Sequence, residues 1–149
     1  MNPLTELLPL AAIDLDFDGP DWRAAVRESG RLLAASGATT AAYAEDMLAA
    51  IDRFGDYIVI APGFALAHAP GSEAVIRTGL SWLRLATPIT FGQGANNPVT
   101  LVVGLASRDH EAQIAMLQQL ALLISDPAKV ARLAAAHSAA ELIAIIDRS

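Results

Sequence analysis

Residues Tyr57–Ala69 read YIVIAPGFALAHA: an almost uncharged run that breaks at Pro62-Gly63, resumes as Phe64-Ala65-Leu66-Ala67 and ends on His68. Tyr57–Ile60 and Phe64–His68 read as strands, with Pro-Gly turn chemistry between them. A hydrophobic strand that stops at a small-residue edge and presents one imidazole can hold a nucleophile rigidly. Neutral histidine keeps a nitrogen lone pair at physiological pH, so it can accept a phosphoryl group or a proton.

Downstream, Val75–Leu85 reads as a longer strand with partial alternation. Ile76, Thr78, Leu80 and Trp82 lie on one face, and Arg77, Gly79 and Ser81 on the other. The loop Phe91-Gly-Gln-Gly-Ala-Asn-Asn-Pro98 is turn chemistry, with Asn96 and Asn97 as turn residues. Val99–Ala106 is a continuous apolar run, as expected of a strand buried on both faces. Asp109 caps a helix with the stripe Ile114, Leu117, Leu120, Ala121 and Ile124. Asp126-Pro127 restarts a helix with proline at its first position. Ser138 with Glu141 forms a capping box opening the last helix, Ala139–Asp147.

Upstream, Pro3–Leu10 is expected as a short helix and Ala12–Asp16 as a short strand. Asp21 caps a helix whose stripe is Trp22, Ala25, Val26, Ser29, Leu32 and Leu33, ending near Gly37. Thr39 or Thr40 is expected to cap a second helix, with Tyr43, Met47, Leu48, Ile51 and Phe54 on its core face and Gly55 closing it. Helices at both ends around a central set of strands describe an α/β fold. The expectation is a single-domain sandwich over residues 1–149, with a mixed sheet of about five strands flanked by helices.

At 149 residues the chain can bury a proper core, and 54% apolar against 17% charged residues excludes a disordered chain. A net charge of −6, with ten scattered basic residues, argues against nucleic acid as a partner. The absence of cysteine excludes disulfides, zinc–thiolate sites and cysteine catalysis. Glu6 interrupts the apolar N-terminus, which lacks a basic segment and does not read as a signal peptide. No apolar run approaches the roughly 20 residues of a membrane span. The expected location is therefore cytoplasmic. The apolar surplus and low charge permit a homodimer without requiring one.

There are three histidines. His137 sits at a helix end before the Ser138 cap, where the dipole favours it. His110 lies in the first turn of the Asp109 helix, an unfavourable place for a cation. His68 alone ends a strand. GxSxG, HExxH, P-loop and GxGxxG patterns are absent, and no ligand spacing supports a metal on His68, His110 and Asp109. No cofactor is expected. A hydrolase or isomerase using His68 as a base lacks a carboxylate partner at fixed spacing.

The stretch Pro62-Gly-Phe-Ala-Leu-Ala-His68-Ala69 resembles the active-site segment of phosphotransferase-system (PTS) enzyme IIA domains of the mannitol/fructose type. Tyr57-Ile-Val-Ile-Ala-Pro-Gly63 looks most like the ascorbate branch. The likeness continues through Thr78-Gly-Leu80, Leu85 to Phe91-Gly92, Asn97-Pro98-Val99 and Leu117 to Asp126. The resemblance implies a cytoplasmic phosphocarrier. His68 would take a phosphoryl group from phospho-HPr and pass it to a cysteine of a IIB domain, serving sugar that enters through a membrane IIC channel. Such transfer asks the protein for positioning and charge stabilisation rather than for a cofactor.

The sequence departs from the family pattern in three places. Ala67 stands where proline usually precedes the histidine. Pro70-Gly71 follows Ala69 where ascorbate-type members more often carry Arg-Pro. Gln113 occupies the place of a second histidine on the following helix. Gln113 keeps an amide donor, and His110 lies one turn earlier on the same face, so both are candidate supports for the phosphoryl oxygens. Arg53 falls roughly where some mannitol-type members carry a functional arginine, but reads first as an exposed helix-end cation matched to the dipole. The competing reading is a regulatory module on the same fold that acts by docking, with Ala67 and Gln113 as marks of reduced or lost transfer.

Overall fold

Two helices cover one face of a five-stranded sheet and four cover the other, so the apolar surplus is divided between two cores that share the sheet as a wall. The computed structural model describes residues 2–55 and 58–148. Tyr57, at the start of the first expected central strand, and the Phe54 side chain, expected on a helix core face, lie outside the described residues.

The elements run α1 (Pro3–Glu6), a 3-10 turn (Leu10–Ala12), β1 (Ile13–Phe17), α2 (Trp22–Ala35), α3 (Tyr43–Phe54), β2 (Val59–Ala61), β3 (Phe64–Ala67), β4 (Gly79–Ile89), β5 (Val99–Ala106), α4 (His110–Ile124), α5 (Pro127–Ala134) and α6 (Ala139–Asp147). The sheet order is β1-β4-β5-β3-β2. β1 with β4 and β3 with β5 are parallel, while β4 with β5 and β2 with β3 are antiparallel. The mixed five-stranded sheet between helical layers is the architecture expected from the sequence.

Period-two alternation sorts each central strand between the cores. Phe64 and Leu66 of β3, Leu80 and Trp82 of β4, and Leu101, Val103 and Leu105 of β5 face α4–α6. Ala65 and Ala67, Leu83 and Leu85, and Val102 and Ala106 face α2 and α3. On that second side the helices approach closely. A Cβ on Gly30 of α2 would lie 2.6 Å from Cβ of Ala44 on α3, so only glycine leaves room for this crossing.

The helix caps follow the sequence closely. Asp21 accepts from Ala24 N–H, Asp126 from Ala128 N–H, and Ser138 Oγ from Glu141 N–H at 3.1 Å. The reciprocal arm of the capping box reaches one residue further back than usual, since Glu141 Oε2 accepts from His137 N–H. Gly55 closes α3 at φ 88°, and Asn97 spans its loop by accepting from Phe91 N–H and donating to Phe91 C=O, each at 2.7 Å.

Four expectations are corrected. The first helix ends at Glu6, because Pro9 cannot continue it and a 3-10 turn follows. Neither Thr39 nor Thr40 caps α3. Ala42 holds that position without a side-chain bond, while Thr39 bridges Val75 and Thr40 N–H donates to Ala74 C=O. The expected strand Val75–Leu85 is displaced to Gly79–Ile89. Ile76 and Arg77 give their N–H groups to Ala38 C=O instead of the sheet, which leaves Ile76 exposed rather than on the Leu80–Trp82 face. On α4 the buried stripe is Met116, Leu120 and Leu123, with Ile114 exposed. That helix is apolar almost all round, so its period does not select a face and the sheet does.

Candidate functional site

β3 ends at Ala67, whose Cα pairs with Gly104 of β5 in a parallel register, and β5 runs two residues further, to Ala106. Continuing the alternation past Phe64 and Leu66 puts His68 on the α4 side, and Ala69 falls back into the α2–α3 core. His68 is half-buried and its Nδ1 is fully covered. Burial alone holds the imidazole below its ordinary value of 6.5, because the cation is the form that loses hydration.

The backbone beyond His68 is tied down. Ala69 N–H donates to Tyr43 Oη at 3.0 Å, and the same hydroxyl donates to Leu105 C=O at 2.7 Å, so one buried phenol joins α3, the His68 loop and β5. Ser72 Oγ donates to Asp46 of α3 at 2.6 Å and accepts from Ala74 N–H at 3.1 Å. We expect Tyr43→Phe to cost about 2 kcal/mol, because it orphans a buried N–H and a buried C=O together. Urea unfolding measures this loss; an unchanged midpoint would mean that water replaces the hydroxyl.

The turn from β5 into α4 faces that loop. Ser107 Oγ donates to Asp109 C=O at 2.8 Å and accepts from Asp109 N–H at 3.2 Å, with Thr78 Oγ1 at 3.3 Å. Between the loop and the turn opens a cavity of about 690 Å³. Its polar walls are Ser72 and Glu73 from the loop, Ser107 and Arg108 from the turn, and His110 and Gln113 from α4. The structure thus brings His110, exposed, and Gln113, half-buried, to one cavity beside the His68 loop.

Arg53, in the last turn of α3, lines a neighbouring cavity of about 430 Å³ with Asp46, Ala69 and Ser72, so it too borders the His68 loop. His137 lies apart, exposed at the α5–α6 junction. A more apolar cavity of about 400 Å³, walled by Trp22, Ile51, Ile58 and Phe91, includes one carboxylate, Asp52, which Arg23 engages.

Two residues of the site escaped the sequence reading. Tyr43 was read as core, and nothing local shows where its hydroxyl goes. Arg108 is a charged residue in a strand-to-helix turn, where solvation is the default; its position at a strand end was the available signal. The assembled site has a half-buried neutral imidazole with a polar, partly cationic cavity beside it. It suits transfer of an anionic group between side chains.

Comparison with known proteins agrees. The model of the family described as "Phosphoenolpyruvate-dependent sugar phosphotransferase system, EIIA 2" matches residues 6–149. The ascorbate-specific PTS system EIIA component of Salmonella choleraesuis (strain SC-B67) is 33% identical over 139 residues, covering 93% of this chain and 90% of the relative. Among solved structures, the mannitol-specific cryptic phosphotransferase enzyme IIA of Escherichia coli superposes with a TM-score of 0.86 at 26% identity, covering 100% of both chains. The nitrogen regulatory protein IIA-Ntr of Neisseria meningitidis superposes at 0.81 with 25% identity, over 95% of this chain and 97% of that one.

The chain belongs to the EIIA 2 family of the phosphoenolpyruvate-dependent sugar phosphotransferase system. It is a IIA component, a phosphotransferase, as the residues around His68 implied.

Proposed function

We propose that the protein is the phosphocarrier of an ascorbate-type system, with Nε2 of His68 as the atom that carries the phosphoryl group. The observation that supports this most is the setting of His68: a half-buried imidazole at a strand end, with Nδ1 covered and its cation disfavoured. With the ring proton on Nδ1, the Nε2 lone pair attacks phosphorus in phospho-HPr. The Nε2–P bond forms as the donor's N–P bond breaks, and that electron pair returns to the donor imidazole. In the second step a cysteine thiolate of a IIB domain attacks the same phosphorus, and the pair returns to Nε2. Gln113 and His110 serve as donors to the phosphoryl oxygens from the cavity wall.

The partners are HPr, a IIB domain and, through it, a membrane IIC component. The IIA protein itself works in the cytoplasm. Among the described residues no helix is long and apolar enough to cross a membrane.

Intact-mass analysis at neutral or basic pH, after incubation with phosphoenolpyruvate, enzyme I and HPr, tests the reading. One added phosphoryl group, mapped to the peptide containing His68, is expected. The second reading, a docking module with regulatory function, draws on Gln113 in place of histidine and on the likeness to the nitrogen regulatory IIA. No mass gain with an HPr proven active on another IIA would favour it.

A further inference from the structure

Building on the phosphocarrier reading, we propose that Tyr43 is the positioning residue for His68: its hydroxyl is inserted into the β3–β5 ladder beside that histidine and fixes where the imidazole stands for transfer. In-line attack by Nε2 tolerates little displacement, since about 1 Å of misplacement costs on the order of 100-fold in rate. The backbone that carries the ring has to be held as firmly as the ring itself.

The register of the ladder locates the insertion. Ala65 pairs with Val102 and Ala67 with Gly104, while Leu66 N–H turns away from β5 to Ile58 C=O at 2.8 Å. N–H groups alternate in direction along a strand, so those of Ala65, Ala67 and Ala69 point to β5. The next rung of this parallel ladder would run from Ala69 N–H to Leu105 C=O. Ala69 N–H donates instead to Tyr43 Oη at 3.0 Å, and Tyr43 Oη donates to Leu105 C=O at 2.7 Å. One oxygen atom from α3 thus stands between the donor and the acceptor of a single rung.

The insertion accounts for where β3 stops. β5 continues to Ala106 and stays paired with β4, Leu105 with Leu80 and Ala106 with Gly79. Only its β3 side is parted, and His68 is the residue at the parting. Tyr43 reaches this seam from the α2–α3 core, where it is 1% exposed and beyond the reach of a partner. His68 stands on the α4 side, so the phenol sets the His68–Ala69 peptide from behind and leaves the imidazole's side of the sheet clear. A second bond from the same helix, Ser72 Oγ to Asp46, holds the loop further on. Loss of the Tyr43 hydroxyl therefore shifts His68 without freeing the loop. Tyr43 keeps its proton, directed at Leu105 C=O, through both transfer steps, and its contribution is geometric.

The test compares full-length wild type, Tyr43→Phe and Arg84→Lys in rapid-quench transfer from phospho-HPr, with NMR of the imidazoles and amide hydrogen exchange alongside. Arg84 is tied to the carbonyls of Leu15, Ala134 and Ala136, so Arg84→Lys controls for lost stability and should keep the wild-type kcat. Tyr43→Phe is expected to lower kcat about 100-fold with little change in KM, because a buried hydroxyl touches no partner. The Cε1–H resonance of His68 should move in that variant, while that of His137, apart at the α5–α6 junction, stays. In the wild type, Ala69 N–H should exchange as slowly as the amides of β3 and β5. Wild-type kcat in Tyr43→Phe would overturn the proposal, as would a loss confined to KM, an unmoved His68 resonance or an equal loss in Arg84→Lys. Exchange of Ala69 N–H at the rate of a loop amide would overturn it even if the phenylalanine variant failed to fold. A wild type with a slow Ala69 amide that takes up no phosphoryl group would sink the phosphocarrier reading, and the role of Tyr43 in transfer with it, while leaving the inserted bond in place.

Discussion

His68→Gln is expected to accept no measurable phosphoryl group from phospho-HPr, a loss on the order of 10⁴-fold or more, as when a sole nucleophile is removed. Glutamine retains polarity and comparable bulk at a half-buried position, so at neutral pH the fold should lose less than about 1 kcal/mol. Residual mass gain in the variant at the wild-type rate would show that another group carries the phosphoryl.

The same pair of proteins reports on the imidazole through pH. Burial lowers the His68 value in the folded chain, so below about pH 6.5 the unfolded chain binds a proton that the folded chain resists. Unfolded-state proton uptake exceeds that of the native state there, and stability rises with pH. The wild type should therefore lose stability relative to His68→Gln as pH falls below about 6.5, and match it above. Phosphoryl acceptance should hold steady to a lower pH than a free imidazole allows, because the neutral ring persists. Parallel stability curves across that range would show that His68 titrates as a solvated group.

The largest expected loss of stability outside the site is at Arg84. It lies on β4, on the face of Leu80 and Trp82, yet binds three carbonyls of different elements. Nε donates to Leu15 of β1 at 2.9 Å, and Nη1 donates to Ala134 at 3.0 Å and to Ala136. Leu15 falls in the register break of the β1–β4 ladder, between Asp14 and Phe17, so the guanidinium supplies a donor that the ladder does not. Ala134 ends α5, where a cation also meets the negative end of the helix.

Arg84→Ala strands these carbonyls together and should cost about 3 kcal/mol. Arg84→Met keeps the apolar stem and should recover only the packing share. Arg84→Lys, with one compact ammonium, cannot satisfy both directions of the fork and should fall between wild type and alanine. Urea unfolding of the four proteins gives the order; equal midpoints for wild type and alanine would mean that water serves the carbonyls as well.

Several elements could be read in the sequence because their signals are local. Val99–Ala106 was expected and found with the same ends, since an uninterrupted apolar run between Pro98 and Ser107 leaves no choice. Asp21, Asp126 and Ser138 cap where they stand, because a cap needs only its own next two or three residues. Failures came where distant parts decide. β4 slid by four residues, because Ala38 captures the N–H groups of Ile76 and Arg77. α4 turned a different stripe inward, because its composition leaves the choice to the sheet.

The site divides in the same way. His68 was legible from its strand and turn. Its link through Tyr43 to Leu105 spans 62 residues and has no local trace. Arg108 takes its place on the cavity wall only once the loop after β3 and the turn after β5 are known to face each other.

Both borders of the sheet are poor templates for further pairing. β2 offers three residues before the Pro62-Gly63 turn, and its register with β3 shifts within that length. β1 carries Asp14 and Asp16 among its five residues. A short rim on one side and like charges on the other discourage strand-to-strand addition between copies. For a chain that is 54% apolar, this design keeps concentrated protein from assembling through its sheet, and leaves association to side-chain surfaces that can release what they bind.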